Sequence, residues 1–190
     1  MTPRAPRADA QRNRAKILAA AGEAFAVDGP DVPLDAVAAL AGVGAGTVHR
    51  HFPTKESLIA AVVAARLERL ADRADALGAD PSADFFAFLT ELASEARQNI
   101  VLASALGGTL GAEGDQAAQR LSTGLASLLR AAQRSGVIRE DITVAELHAI
   151  IAGAVTIERG LPAGRQGLGL EVVLTGLRTP GHGRQGVSGP

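Results

Sequence analysis

Apolar residues recur at the spacing of an α-helix along most of the chain. Over residues 11–28, Ile17, Ala21 and Phe25 fall on one face of such a helix, and Gly29 follows as a stop signal. No segment shows the sustained alternation of β-branched residues that marks a half-buried strand. The pattern therefore predicts an all-α protein of about nine helices.

Two short helices follow the first, with a turn between them. Residues 34–41 carry apolar side chains at positions i, i+3, i+4 and i+7, and Gly42 is placed to end that helix. Residues 45–51 fit a further short helix, bounded by Gly44 and Pro53. Two short helices around a turn predict a helix-turn-helix, the arrangement that places its second helix in the major groove of DNA.

The remainder of the chain predicts a longer series of helices. Thr54 is a suitable N-cap for a helix over 55–77, and Thr143 with Glu146 forms the capping-box pattern ahead of a helix that reaches about residue 159. The other predicted helices begin near residue 81 or cover about 99–107, 115–135 and 170–177. The Gly- and Pro-containing tail that follows predicts disorder.

The net charge of −1 conceals an uneven distribution. Residues 1–55 hold seven Lys and Arg against five Asp and Glu (+2), whereas residues 56–190 hold twelve against fifteen (−3). A basic N-terminal arm fits local contact with phosphates, and equally a solvated tail. Because the chain has no cysteine, disulfides and thiolate metal sites are excluded. No apolar run approaches the ~18 residues of a membrane span and no signal core is present, so a cytoplasmic protein is expected.

The candidate DNA-contacting side chains lie on and beside the second helix of the predicted motif. Arg50 can read guanine or neutralise a phosphate, and Thr47 can bond a phosphate or touch a thymine methyl group. Lys55 falls in the first turn of the next helix, where it can reach a backbone phosphate. An ordinary helical hairpin with a polar surface has the same periodicity, so the pattern alone leaves both interpretations open.

Other patterns in the chain indicate neither catalysis nor a metal. The glycines of 42–46 follow a helical pattern instead of the strand that a nucleotide-binding loop requires. His49 and His51 are two residues apart, so on a helix they point in different directions and do not share a metal. No Ser/His/Asp grouping or carboxylate pair emerges. We therefore expect no enzymatic activity, no metal and no cofactor.

A resemblance to a known family decides between the alternatives for the motif. The stretch from Arg14 to Leu58 resembles, in order and spacing, the DNA-binding domain of the TetR family of transcriptional regulators. The positions that carry the resemblance are Arg14, Ile17, Leu18, Ala20, Ala21, Phe25, Gly29, Val37, Ala38, Ala41, Gly42, Val43, Gly46, Thr47, His51, Phe52, Lys55, Glu56 and Leu58. The resemblance implies an N-terminal three-helix DNA-binding domain and a C-terminal helical bundle for ligand binding and dimerisation. The expected divisions are a disordered basic arm over 1–10, the DNA-binding domain over 11–55, the ligand-binding and dimerisation domain over 56–178, and a disordered tail over 179–190.

The resemblance also implies a function. The chain is expected to be a transcriptional repressor that binds a pseudo-palindromic double-stranded DNA operator as a homodimer and is released by a small, largely apolar effector. The expected DNA-binding residues are Arg14, Ala45, Gly46, Thr47, His49, Arg50, His51 and Lys55. The expected ligand-binding residues are Phe88, Leu92, Leu106, Leu125 and His148. The expected dimer-interface residues are Leu147, Ile151, Ala154, Leu170, Val173 and Leu174.

The chain departs from the family pattern at three positions. His49 stands where the family usually has a tyrosine that contacts the DNA backbone, and a histidine can donate the same hydrogen bond. Gly44 replaces the usual serine cap of the recognition helix, which weakens its start by a few tenths of a kcal/mol. Pro33 replaces a threonine or serine that commonly caps the preceding helix and touches a phosphate, so that contact is expected to be lost.

Two other classes of protein compete with the regulator. A helical small-molecule-binding protein without DNA recognition would bind a ligand but show no salt-sensitive DNA binding. An all-helical enzyme would require a convergent polar site in the second half of the chain, and the sequence shows none.

Overall fold

The computed structural model describes residues 6–77, 81–162 and 164–179. Within these residues the named elements are all α-helices, and there is no β-strand. The helices are α1 (Pro6–Asp28), α2 (Leu34–Ala41), α3 (Ala45–His51), α4 (Lys55–Leu77), α5 (Pro81–Ala105), α6 (Gly111–Arg134), α7 (Val144–Gly160) and α8 (Leu168–Leu177). The predicted all-α class is confirmed. No helix in this described part is both long enough and apolar enough to cross a membrane.

The described residues contain eight helices, whereas about nine were predicted. The difference arises because two of the predicted helices are parts of one continuous helix. The predicted helices that begin near residue 81 and cover 99–107 form the single helix α5. Neither glycine nor proline occurs between Pro81 and Gly107, so nothing in the backbone interrupts the helical hydrogen bonds.

Helix α1 begins at Pro6, within the stretch 1–10 for which the sequence predicts a disordered arm. Proline is favoured at the first position of a helix, and Asp9 lies in the first turn, where its charge is favourable for the helix dipole. Asp9 also forms an ion pair with Arg12 one turn later. Residues 1–5, and residues 180–190 of the tail, lie outside the described part of the chain.

The chain divides into two compact units. The first comprises Met1–Glu68 and Gln98–Ala118, and the second comprises Arg69–Arg97 and Gln119–Pro190. The predicted DNA-binding domain over 11–55 lies within the first unit, whereas the predicted second domain is divided between the two. Helices α4, α5 and α6 each contribute residues to both units.

The core of the first unit is formed where α1, α2, α3 and the start of α4 pack together. Its most deeply buried members are Ile17, Ala21, Val37, Val48 and Leu58. A buried guanidinium joins two of these helices, since Arg66 of α4 donates a hydrogen bond of 2.9 Å to the carbonyl oxygen of Gly22 in α1.

The core of the second unit is apolar and includes residues of α5, α6 and α7. Its fully buried side chains are Phe85, Phe88, Leu89, Leu125, Leu128, Ile138 and Leu147. The predicted capping box at the start of α7 is confirmed: the Glu146 backbone N–H donates to Thr143 Oγ1 at 3.2 Å, and the Thr143 backbone N–H donates to Glu146 Oε2 at 2.7 Å.

A buried carboxylate near the end of α7 holds the start of α8. Glu158 accepts hydrogen bonds from the backbone N–H groups of Gly167 (2.5 Å) and Leu170 (2.9 Å). These N–H groups would otherwise be among the unsatisfied donors of a helix N-terminus. The hydrogen bonds from Gly167 and then Leu170 are the main causes that lower the pKa of Glu158 below its usual value.

Glu158→Gln is expected to lower the thermal stability of the protein at pH 7. Because the folded-state pKa of Glu158 is depressed, its contribution to stability is present above the unfolded-state pKa and is lost as the pH falls through the folded-state value. The difference in Tm between wild type and variant should therefore shrink from pH 6 towards pH 3.5. Thermal unfolding over this range measures it, with the exposed Glu140→Gln as control; a difference that stays constant with pH would contradict the expectation.

Candidate nucleic-acid interface

The turn between α2 and α3 is built by a glycine in the left-handed conformation. Gly42 has φ of +65°, and its N–H donates to the carbonyl oxygen of Ala39 at 3.2 Å. The N–H of Val43 donates to the carbonyl oxygen of Ala38 at 3.1 Å, which completes the two-bond C-terminal motif of a helix. A residue with a Cβ atom is strained at this φ, which explains why a glycine at this position signals the end of α2.

One side of α3 packs into the core of the first unit, and the other side is exposed. Val48 is fully buried, Phe52 is 3% exposed, and the N–H of Phe52 donates to the carbonyl oxygen of Val48 at 2.8 Å. Of the predicted DNA-binding residues on α3, Ala45, Gly46, His49 and Arg50 are exposed, while Thr47 and His51 are half-buried. The predicted recognition surface thus lies opposite the side of α3 that packs into the core.

The start of α3 presents almost no side-chain bulk. Gly44 is the N-cap and makes no side-chain hydrogen bond, as expected from the loss of the serine. A Cβ atom on Gly46 would have no neighbour within 4 Å, so the surface is open there. Pro33 likewise caps α2 without a side-chain hydrogen bond. Short side chains at the start of α3 allow a close approach to a groove of DNA.

The charges around α3 are mostly basic. The last turn contains His49, Arg50 and His51, and α3 has no acidic residue in its first turn. A carboxylate close to α3 is that of Asp35 in α2, whose Oδ1 lies 3.9 Å from Nε2 of His49. Both side chains of this pair are more than half exposed.

The start of α4 places Lys55 beside α3. Ser57 and Thr54 cap this helix reciprocally, since each backbone N–H donates to the hydroxyl of the other residue, at 3.1 and 3.2 Å. Thr54 was expected from the sequence, whereas the contribution of Ser57 was missed, although its position three residues after the cap is the usual signal. Lys55 is the first residue of α4 and is half-buried.

Arg14 is engaged within the first unit. Its guanidinium carbon lies 5.6 Å from the centroid of the Phe52 ring, and Nη2 donates to Oε2 of Glu113 at 3.2 Å. The sequence-based expectation that Arg14 contacts DNA stays a prediction; in this structure its guanidinium is directed towards Phe52 and Glu113.

Two family models match the chain. The model described as bacterial regulatory proteins of the tetR family matches residues 17–62, and the model described as the C-terminal domain of SbtR-like transcriptional regulators matches residues 80–179. The second match alone covers more than half of the chain. The chain belongs to the TetR family of transcriptional regulators.

Solved structures of TetR regulators are similar over almost their whole length. The TetR transcription regulatory protein from Mycobacterium vanbaalenii is 38% identical with a TM-score of 0.72, and the match covers 90% of this chain and 98% of that one. A TetR regulator from Streptomyces coelicolor is 31% identical with a TM-score of 0.72 and coverage of 88% and 99%. A structure described as a gamma-butyrolactone receptor, 22% identical with a TM-score of 0.52 and coverage of 88% and 97%, shares the fold. No curated protein matches the chain.

The expected ligand-binding residues of this TetR-family regulator are divided between the two compact units. Phe88, Leu92 and Leu125 are buried in the second unit, His148 is exposed on α7, and Leu106 is half-buried in the first unit. The second unit contains a cavity of about 300 Å³ whose polar lining includes Thr90, Ser94 and Arg97 of α5 and Glu158 of α7. None of the five expected residues lines this cavity.

The expected dimer-interface residues fall into two groups. Leu147, Ile151 and Ala154 of α7 are at most 4% exposed, so within this chain they belong to the core. Leu170, Val173 and Leu174 of α8 are half-buried. Helix α7 carries apolar residues on two faces, and the three α7 residues predicted for the interface lie on the inward one.

No three His, Asp or Glu side chains come together as a metal site within the described part of the chain.

Proposed function

We propose that this TetR-family regulator is a repressor that binds a pseudo-palindromic DNA operator as a homodimer, acts in the cytoplasm where the operator lies, and is released by a small-molecule effector. The observation that carries the proposal is the presentation of α3. Val48 and Phe52 hold the helix in the core while Gly46, His49 and Arg50 remain exposed on its outer side. A helix held in this way can enter the major groove and contact base edges.

The contacts with DNA are proposed to divide into two kinds. Arg50 reads a base edge, because its long side chain is exposed on α3. Thr47 and Lys55 contact backbone phosphates, and Lys55 is joined there by the backbone N–H groups at the start of α4, where a helix favours negative charge. Ala45, Gly46 and His51 complete the proposed surface.

The test is a titration of the purified protein with the DNA that flanks its own gene, at several salt concentrations. We expect tight binding with a steep dependence on salt, because each neutralised phosphate contributes a slope of about −0.9. Thr47→Ala and Lys55→Ala should each weaken the binding, and Lys55→Ala should also reduce the slope. The exposed Arg130→Ala of α6 serves as a matched control for loss of a positive charge.

The same titration can contradict the proposal. Weak binding that ignores both DNA sequence and the two substitutions, also in a selection from random duplexes, would mean that the helix-turn-helix no longer reads DNA. The alternative of a helical ligand-binding protein without DNA recognition would then replace the repressor.

Operator binding is expected to strengthen modestly as the pH falls from 8 to 6. A protonated imidazole carries a positive charge that a phosphate attracts, and His49 is more than half exposed on the proposed DNA surface. His49→Gln keeps a hydrogen-bond donor but cannot gain charge, so the variant should lose most of this pH dependence. Operator titrations at pH 6, 7 and 8 measure it; a wild-type affinity that is flat with pH, in protein that remains folded, would contradict the role.

The dimer is proposed to form through the outward faces of α7 and α8. Three large apolar side chains are exposed there: Leu168 (38%), Ile157 (51%) and Val172 (64%). Small exposed residues of α7, such as Ala152 and Gly153, allow a partner helix to come close. A two-fold dimer would present two copies of α3 to half-sites about 34–36 Å apart.

The effector is proposed to bind in the second unit. The cavity of about 300 Å³ in that unit is lined by Ala93, Val155 and Leu170 as well as by its polar residues, so a small, largely apolar molecule that carries a polar group would fit it. A gamma-butyrolactone receptor shares the fold and illustrates one class of small molecule to test. If effector binding and operator binding are coupled, the effector and the operator must each weaken the binding of the other by the same factor. An effector that binds tightly without changing the operator affinity would exclude this part of the proposal.

A further inference from the structure

Arg14 lies where three helices of the first unit come together. It belongs to α1, its guanidinium faces the Phe52 ring at the end of α3 with 5.6 Å from Cζ to the ring centroid, and it donates to Glu113 in the first turn of α6 at 3.2 Å. The distance to the ring is within the range of a cation–π contact. One side chain therefore touches both the end of the proposed recognition helix and the beginning of α6.

The contact with Phe52 bears on how α3 is held. Phe52 is 3% exposed, and its N–H closes the last turn of α3 through the 2.8 Å hydrogen bond to Val48. Because Phe52 is both the cap and a core residue, a guanidinium against its ring restricts the orientation of the last turn of α3. That turn carries His49 and Arg50, two of the side chains proposed to contact DNA.

The contact with Glu113 bears on a different part of the chain. Glu113 follows the turn before α6, in which Gly107 and Gly108 have positive φ, as does Gly111, the first residue of α6. Residues 98–118 belong to the same compact unit as the helix-turn-helix, whereas α6 continues into the second unit from residue 119. A displacement at the start of α6 would thus act on Arg14 directly.

We propose that Arg14 is a positioning residue, which links the first turn of α6 to the end of α3 and does not contact a phosphate. The inference rests on the proposed DNA binding of α3. The inference differs from the sequence-based expectation in the role of Arg14, since its guanidinium pairs with Glu113 and lies against the Phe52 ring.

The two possible roles of Arg14 predict opposite effects of Glu113→Gln. If Arg14 contacts a phosphate, removal of the Glu113 carboxylate frees its guanidinium and takes away a negative charge, so operator affinity rises or stays the same. If Arg14 positions α3, the substitution weakens the link and operator affinity falls, by about two- to five-fold for an exposed ion pair. Asp115→Asn removes an equal charge from the same exposed stretch of α6 and should not weaken the binding.

The salt dependence and a double-mutant cycle separate the roles further. Arg14→Gln should weaken operator binding without changing the salt slope, whereas a lost phosphate contact reduces the slope by about 0.9 for each half-site. Lys55→Gln, at a proposed phosphate contact, provides the reference for such a reduction. The double variant with Arg14→Gln and Glu113→Gln should bind no more weakly than Arg14→Gln alone, because both substitutions remove the same link.

A measurement without DNA keeps this inference separate from the proposed function. Amide hydrogen exchange at Phe52 should be faster in Glu113→Gln than in wild type and in Asp115→Asn, since the last turn of α3 is held less firmly. Faster exchange in a protein that binds no operator would leave the link standing and remove the repressor proposal. Unchanged exchange, or an operator affinity that rises in Glu113→Gln, would overturn the positioning role.

Discussion

Val172→Glu is expected to leave the protein folded but monomeric, and to lower its affinity for a full operator by about 10²–10⁴-fold. Val172 is the most exposed large apolar residue of α8. In a two-fold dimer through α7 and α8 the substitution occurs twice, and each carboxylate would be buried without a partner. The loss of operator affinity follows because a dimer binds its second half-site at a high effective concentration, which a monomer lacks.

Sedimentation equilibrium gives the oligomeric state, and titrations with a full operator and a single half-site give the two affinities. The half-site affinity should change little, because the substitution is far along the chain from α3. Val27→Glu makes the same chemical change at a side chain that is 83% exposed at the end of α1, and it should remain dimeric. A Val172→Glu protein that stays dimeric and binds the operator as wild type does would exclude α7 and α8 as the interface.

Arg50→Ala is expected to weaken operator binding by about 1–3 kcal/mol for each half-site and to abolish discrimination at one base pair. Arg50 is exposed on α3, and the residues before it at the start of the helix, Ala45 and Gly46, are too short to read a base by hydrogen bonding. The bidentate guanidinium fits the O6 and N7 atoms of guanine, so we expect a guanine at the corresponding position of each half-site.

Competition between operators with single base substitutions measures this prediction. Arg50→Lys is the informative companion, because it keeps the positive charge but cannot form the bidentate pair. It should lose discrimination at the guanine and retain most of the salt slope. If Arg50→Ala instead weakens all sequences equally and lowers the slope by about 0.9 per half-site, Arg50 contacts a phosphate and base recognition has to come from other residues of α3.

The helix-turn-helix was predictable because its signals are local. Gly42 ends α2 because the left-handed backbone there is strained for a residue with a Cβ atom, and Pro53 follows α3 where the helix has to stop. The small side-chain bulk at the start of α3 also follows directly from the short residues that the sequence has there. The capping box of Thr143 and Glu146 lies within four residues and was correct for the same reason.

Other features depended on residues that are distant in the sequence. Arg14 and Phe52 are 38 positions apart and Arg14 and Glu113 are 99 apart, so the basic charge near the N-terminus suggested a phosphate contact where the fold supplies a ring and a carboxylate. Glu158 is charged and near the end of α7, which predicts an exposed side chain. It is buried because the backbone N–H groups of Gly167 and Leu170 come back to it.

The sequence by itself determined the all-α class, the helix-turn-helix and the family, because helical periodicity, caps and turn glycines act over a few residues. The tertiary structure decided which face of each helix is inside. In α7 both faces are apolar, with Leu147 and Ile151 inward and Ile157 outward, so periodicity could not distinguish the core from the surface. Only packing against helices that are distant in the sequence removes one of the two faces from water. This packing leaves Ile157 of α7 exposed, as it does Val172 of α8.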